Sequence, residues 1–322
     1  MKKLILLLLA ASLLFITSCE LFIEEPAKGD VYYINVGLDY ENNSAVNTLY
    51  GTVNDAEELQ RTIKAVISKA NRIDIGYRMI QEGSGYTGDT TYTINSTIIS
   101  NYPTKTNINS ILTNLKAITN TDDLIIFTYS GHGYEESGHL LLAKTGVVTP
   151  AESLDPATLL GWMALIPGKK LVILDSCYSG MFVDESPSST STILNNSITK
   201  FFETYHSSDT YGKPDLFVLT ASAHADSYED YFDSVVDHKH GFFTHALLEA
   251  LGWNHPHPTN LSTVEIQEPP AAKNGQITVD GLFKYIKKNQ AINSRFILFS
   301  AQPEFQHPMT TGGPLDLVLF NL

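Results

Sequence analysis

Leu124-Ile125-Ile126-Phe127-Thr128-Tyr129 is a nearly unbroken apolar run that stops at Ser130-Gly131-His132-Gly133. A run this short and this rich in branched and aromatic residues reads as a strand buried on both faces, the kind found inside parallel sheets. Two more runs follow. Leu171-Val172-Ile173-Leu174 stops at Asp175-Ser176-Cys177-Tyr178-Ser179-Gly180, and Leu216-Phe217-Val218-Leu219 stops at Thr220-Ala221-Ser222. Pro156 to Ile166 reads as a helix, so the first two runs are joined by the strand–helix–strand spacing of a right-handed crossover. The pattern predicts an α/β fold built on a mostly parallel, twisted sheet with helices on both faces.

Working outward, Val31 to Gly37 and Ile73 to Ile80 read as further strands. Between them, Asn54-Asp55-Ala56-Glu57-Glu58 carries helix-start chemistry, and Leu59, Ile63, Val66 and Ile67 follow at helical spacing. The bland role for Asp55 is therefore a helix N-cap, and for Asp175 a strand-end carboxylate bonding backbone N–H groups. Ile108 to Ile118, Gly241 to Leu251 and Val279 to Asn289 read as helices. Gly83 to Asp89 reads as a polar loop, and the Ser/Thr-rich stretch after Asp184 as a mobile one. Gln302 to Gly313 reads as an extended tail, followed by an edge strand at Leu315 to Leu319.

The amino end is Met1-Lys2-Lys3 followed by an apolar stretch from Leu4 to Ile16, a basic n-region and a short h-region. It ends in Ile16-Thr17-Ser18-Cys19, which resembles the lipobox of bacterial lipoproteins. The resemblance implies cleavage before Cys19, lipidation of Cys19, and an exported protein held at the cell envelope by a lipid anchor alone. Residues 1–18 are then the signal peptide and 19–29 a tether. Without its leader the chain keeps 19 basic residues against 35 acidic ones. That excess of acid disfavours a nucleic-acid-binding face.

Only two cysteines exist, Cys19 and Cys177. With Cys19 in the export signal, Cys177 is a lone thiol in an oxidising compartment. Ligands bind outside the carboxyl ends of strands in open parallel sheets. His132 and Cys177 both sit there, about 45 residues and one crossover apart. A thiol with a neighbouring imidazole is a nucleophile with its proton carrier. Gly131, Gly133 and Gly180 let the backbone turn tightly beside them. The N–H groups of Gly133 and Cys177 are candidates for an oxyanion hole. No paired Cys and no His-x-x-x-His spacing suggests zinc.

Together, Tyr129-Ser130-Gly131-His132-Gly133 and Asp175-Ser176-Cys177-Tyr178-Ser179-Gly180 resemble the catalytic signatures of metacaspases and bacterial caspase-like peptidases. A His some 50 residues before the Cys is itself a caspase trait. Gly51-Thr52-Val53-Asn54-Asp55-Ala56, Thr220-Ala221-Ser222 and Gly241-Phe242-Phe243-Thr244 are similar to further family segments, so the resemblance spans about residues 30 to 305. It implies a caspase-like three-layer sandwich over 30–322: a large-subunit-like part to about 183, a mobile loop at 184–213 and a small-subunit-like part at 214–322.

The activity implied is that of a cysteine endopeptidase. Positions matching Asp55, Ser130 and Asp175 line the metacaspase pocket for the residue before the cut bond. Two carboxylates there favour Arg or Lys, whereas Asp recognition needs arginines. The four arginines, Arg61, Arg72, Arg78 and Arg295, lie outside the catalytic motifs. Thr52 stands where the family usually has Cys. Calcium-binding metacaspases use clustered Asp; Asp184 matches one such position, but Glu135-Glu136-Ser137-Gly138-His139 lacks the others, so no metal or other cofactor is expected to be required. His139, His224, His238, His240 and His245 read as surface or helix residues, and Asp226, Glu229 and Asp230 as an acidic loop within reach of substrate. Lys200 and Lys213 are candidate self-cleavage sites. Three alternatives stay open: a catalytically silent surface-binding module of the same fold, a peptidase with a different specificity such as Asp or Asn, and a plain α/β binding domain whose Cys177 is a core residue.

Overall fold

The computed structural model describes residues 27–41, 43, 45–83, 90–135, 137–144, 147–183, 215–222, 226–231, 239–253, 266–289, 306, 308–311 and 317–322. Five parallel strands form the centre: β1 (Val31–Leu38), β2 (Asp74–Gln81), β5 (Leu124–Ser130), β8 (Lys169–Asp175) and β9 (Leu216–Thr220). A short strand, β13 (Met309–Thr311), adds antiparallel to β9, giving the order β13-β9-β8-β5-β1-β2. Strands β1, β5 and β9 are buried along their whole length, as continuous apolar runs require when both faces are covered.

The period-2 alternation of each strand sorts its side chains into two cores. On one face Ile34, Phe127, Val172 and Val218 pack with helix α2 (Lys105–Ile118) and helix α3 (Pro156–Ala164). On the other, Tyr33, Ile126, Leu171 and Phe217 pack with α1 (Thr52–Lys69), α4 (Phe242–Ala250) and α5 (Val279–Lys288). This is a three-layer sandwich, as predicted.

Local chemistry sets the helix starts. Thr104 caps α2 by accepting from the Asn107 N–H at 3.1 Å, Asp155 caps α3 from Thr158 N at 2.9 Å, and Thr278 caps α5 from Gly281 N at 2.9 Å. Helix α1 differs. It begins at Thr52 with Gly51 as N-cap and no side-chain cap. Asp55 is therefore not the cap: its carboxylate points away from its own helix end, into the site described below.

The carboxy-terminal expectation is corrected. The sheet's edge is β13, inside the segment read as an extended tail. The last strand, β14 (Val318–Asn321), leaves the sheet and pairs antiparallel with β12 (Gln276–Thr278). With three-residue edge pieces, neither ladder is long enough to show a period in the sequence. The hairpins β3 (Thr91–Ile94) with β4 (Thr97–Ser100) and β6 (Leu140–Lys144) with β7 (Val147–Leu154), and the pair β10 (Glu229–Tyr231) with β11 (Lys239–Gly241), were not anticipated. The leader with Cys19, Asp184, the 184–213 loop with Lys200 and Lys213, and the segments holding His224 and His238 lie outside the described residues.

Candidate active site

The sheet register brings the two motifs level. Ser130 at the end of β5 pairs with Asp175 at the end of β8, and the Gly131 N–H bonds the Asp175 carbonyl at 3.2 Å. His132 and Cys177 each stand two residues further on. Both line one cleft of about 490 Å³ at the carboxyl ends of the strands, together with Gly133, Asp55, Ser130 and Asp175. Every candidate site residue among those described thus reaches the same groove.

His132 is half-buried. Its Nε2 lies 2.7 Å from the carbonyl oxygen of Asn47, a bond that requires the proton on Nε2 and leaves Nδ1 as the basic nitrogen. The Tyr40 ring packs beside the imidazole with centroids 4.7 Å apart, and the Tyr40 hydroxyl accepts from the His132 N–H at 3.1 Å. Burial lowers the His132 pKa, opposed by the Asn47 carbonyl and the Glu229 charge. The resting imidazole is neutral.

Cys177 is also half-buried. The Ser227 N–H points at its Sγ from 3.4 Å, and Sγ lies 3.7 Å from the Ser227 carbonyl oxygen. Burial pushes the thiol up to about 11; the Ser227 N–H opposes this, while Asp226 and Asp175 add to it. The resting thiol is protonated as well. Gly133 faces it so closely that a Cβ there would overlap the Cys177 carbonyl oxygen. The bonds Leu141 N to His132 O (3.0 Å) and Tyr134 N to His139 O (2.9 Å) flank an antiparallel Gly133–Leu140 bridge, so the Gly133 N–H is left out of that ladder.

The floor of the cleft holds two buried carboxylates. Asp55 accepts from Ser130 Oγ at 2.6 Å and from the Gly241 N–H at 3.2 and 3.3 Å, and its Oδ1 lies 2.9 Å from His240 Nδ1. Asp175 accepts from Ser227 Oγ at 2.6 Å, from Thr244 Oγ1 at 2.8 Å and from Thr244 N at 3.0 Å. Gly241 threads between them, with no room for a Cβ beside the Asp175 carboxylate. Burial raises the Asp55 pKa well above the usual carboxylate range. It raises Asp175 to about 7, with the Asp55 charge adding. Glu135, Asp226 and Glu229 also line the cleft, and no Lys or Arg stands among its described lining residues.

Several partners were missed from the sequence: Asn47, Tyr40, Ser227, Thr244, His240 and Gln306. Gln306 is buried and holds the 227–228 segment by accepting from Tyr228 N at 3.4 Å and donating to Ser227 Oγ at 3.2 Å. His240 is neither a surface nor a helix residue; it lies in β11, 3 % exposed, against Asp55. The one signal available was its place directly before the Gly241–Thr244 motif. His245 is buried in α4, near Glu249 and the rings of His240 and Trp253. Glu229 of the acidic loop does line the cleft, but its carboxylate accepts from the N–H groups of Tyr50 (2.9 Å) and Gly51 (2.6 Å) at the start of α1. Among the described residues no group of three or more His, Cys, Asp or Glu side chains is placed to hold a metal ion. Glu135 instead takes the Tyr178 hydroxyl at 3.4 Å.

The family model described as "Caspase domain" matches residues 36–267. Among solved structures, caspase-1 from Spodoptera frugiperda superposes with a TM-score of 0.52 at 14% identity, covering 92% of this chain and 92% of that one. Protein GSU0716 from Geobacter sulfurreducens matches with a TM-score of 0.43 at 15% identity, over 88% of this chain and 94% of that one. No curated protein matches the chain. The family match spans the strand-end segments holding His132 and Cys177 and most of the sheet, and the insect caspase shares the fold. The chain belongs to the caspase-domain family of cysteine peptidases.

Proposed function

We propose that the protein is a cysteine endopeptidase that cuts after Arg or Lys, with Cys177 as nucleophile and His132 as proton carrier. The observation that carries this reading is one cleft holding the thiol, the imidazole and, beneath them, two buried carboxylates, with no Lys or Arg among its described lining residues.

The chemistry follows from the neutral resting pair. Sγ attacks the substrate carbonyl carbon as its proton passes to His132 Nδ1. The imidazolium so formed keeps its Nε2–H on the Asn47 carbonyl, which stabilises the positive charge. The carbonyl oxygen becomes an oxyanion, held by the N–H groups of Gly133 and Cys177. Collapse breaks the C–N bond, and the imidazolium gives its proton to the leaving amine. Water, deprotonated by His132, then hydrolyses the thioester and returns the thiol. The substrate's basic side chain enters beside Asp55, Asp175 and Ser130, where a guanidinium or ammonium offsets the cost of two neighbouring carboxylates. No step needs a metal or another cofactor, and turnover is expected without calcium.

Cys177→Ala should abolish cleavage of an Arg-peptide; turnover at the wild-type rate would overturn the assignment. A P1 library should return Arg and Lys, and a preference for Asp or Asn would overturn the specificity. The protonated thiol bonded to Ser227 favours a second reading, a silent binding module. An Arg-ketone probe that labels Cys177 in the wild-type protein decides against it. We further propose export as a lipoprotein with acyl chains on Cys19, at the cell envelope; incorporation of labelled fatty acid that is lost in Cys19→Ala is the expected result. Self-cleavage at Lys200 or Lys213 is proposed for the 184–213 stretch, and a single intact band after prolonged incubation of active enzyme would refute it.

A further inference from the structure

The geometry points to His240 as a positioning residue for substrate selection: its Nδ1–H supplies a donor that favours the ionised form of Asp55 once the substrate's cation enters the cleft. This rests on the basic-P1 reading and adds to it a residue in neither catalytic motif.

Asp55 is fully buried, at 0% exposure, where an unassisted carboxylate takes up a proton and loses its attraction for a cation. Whether it is charged depends on its donors. Ser130 Oγ approaches Oδ2 at 2.6 Å, the Gly241 N–H lies 3.2 to 3.3 Å from both oxygens, and His240 Nδ1 lies 2.9 Å from Oδ1. The hydroxyl of Ser130 can rotate to donate or accept, so it suits either protonation state. The Gly241 N–H can only donate, though from the long end of the range; of the two side-chain partners, the imidazole is the one whose tautomer discriminates. With the proton on Nδ1 it can only donate, which favours the carboxylate.

The ring is held for this role. It lies edge-on to Trp253, centroids 5.5 Å apart at 77°, with His245 on another side at 6.2 Å, and it is 3% exposed. Among the described side chains, the charged and titratable groups around it are Asp55 and Glu58 from α1, Asp175 from the end of β8 and His245 from α4; Asp230 of β10 is its backbone partner across the β10–β11 pair. Burial keeps it uncharged down to about pH 4, so at neutral pH it serves as a neutral donor. Trp253 Nε1 donates to Glu58 Oε2 at 3.2 Å, which fixes the indole that the imidazole meets edge to face. His240 itself does not line the cleft, so it acts through Asp55 rather than by touching substrate.

The test measures binding on the Cys177→Ala protein by calorimetry, with a peptide ending in Arg and its citrulline counterpart, which keeps shape and loses charge. His240→Ala should weaken Arg-peptide binding by about tenfold or more, the loss expected for a charge-assisted hydrogen bond, and leave citrulline-peptide binding within about threefold. His240→Asn, whose side-chain amide can replace the Nδ1–H donor, should restore Arg binding to within about threefold of the His240 protein. Equal losses for both peptides, with no rescue by Asn, would show a structural role and overturn the proposal, as would unchanged Arg binding in His240→Ala. A His240 protein that does not prefer Arg over citrulline would overturn the basic-P1 reading and this assignment with it. A clear Arg preference that survives His240→Ala overturns this assignment alone.

Discussion

At the scale of single residues, the site is a set of charges removed from water, and its behaviour is governed by what replaces the water. Asp175 illustrates the sign. Its pKa rises from the ordinary carboxylate value of 3.8 to about 7, chiefly through burial. Between about pH 4 and pH 7 the unfolded chain has released this proton and the folded one has not. The group therefore costs stability as pH rises through that window, and the cost is complete above about 7. Asp175→Asn should be relatively more stable than wild type at pH 8 than at pH 4, by a few kcal/mol at most; urea melts at both pH values check this, and a pH-independent difference would contradict it. The same proton bears on function. A cationic side chain binds the ionised form, so KM for an Arg-peptide should fall as pH rises through about 7, and this dependence should weaken in Asp175→Asn. His132 and Cys177 were legible in the sequence because each closes a buried strand with a motif. Asn47 was not, since it contributes a backbone carbonyl and any residue could supply one.

At the scale of elements, register does the positioning. Ser130 opposite Asp175 brings the residues two further on to the same level, and Gly133 lets the turn after β5 close onto the Cys177 carbonyl. Gly133→Ala forces that contact apart. It should cost about 1 to 3 kcal/mol of stability and lower kcat by a larger factor than it raises KM, measured on an Arg-peptide. Wild-type kinetics in this variant would show the turn to be slack. The long helices and central strands were readable from period and caps because their faces are uniform over many residues. Helix α1 was read a little late, at Asn54–Asp55, because acids at a helix start look like capping chemistry. Here the Asp55 carboxylate is drawn to Ser130, His240 and Gly241 instead.

At the scale of the molecule, β8 and β9 lie side by side and parallel although residues 176–215 separate them in the chain. Their ladder runs from Lys170–Leu216 to Leu174–Thr220, and an ion pair from the buried Lys170 Nζ to the partly exposed Asp215 Oδ2 at 3.0 Å pins the start of β9. A cut anywhere in 184–213 therefore leaves the sheet joined by hydrogen bonds and two shared cores. A protein cut at a specific protease site engineered into 184–213 should elute as one species in gel filtration and separate only in denaturant; separation in native buffer would contradict the packing described. Phe127 lies at the centre of one core with 0% exposure, and Phe127→Ala should cost about 3 to 5 kcal/mol, read from the urea midpoint.

The layered α/β architecture and the placing of His132 and Cys177 at the carboxyl ends of two central strands were determined by the chain alone, because apolar runs, helical spacing and strand-end motifs are local patterns that physics reads locally. The partners that give the site its electrostatics were decided only in three dimensions. His240 and Asp55 are 185 positions apart, Ser227 and Asp175 52 apart, Thr244 and Asp175 69 apart. A hydrogen bond between such residues leaves no period, and a carboxylate's charge state depends on how many donors the fold closes around it.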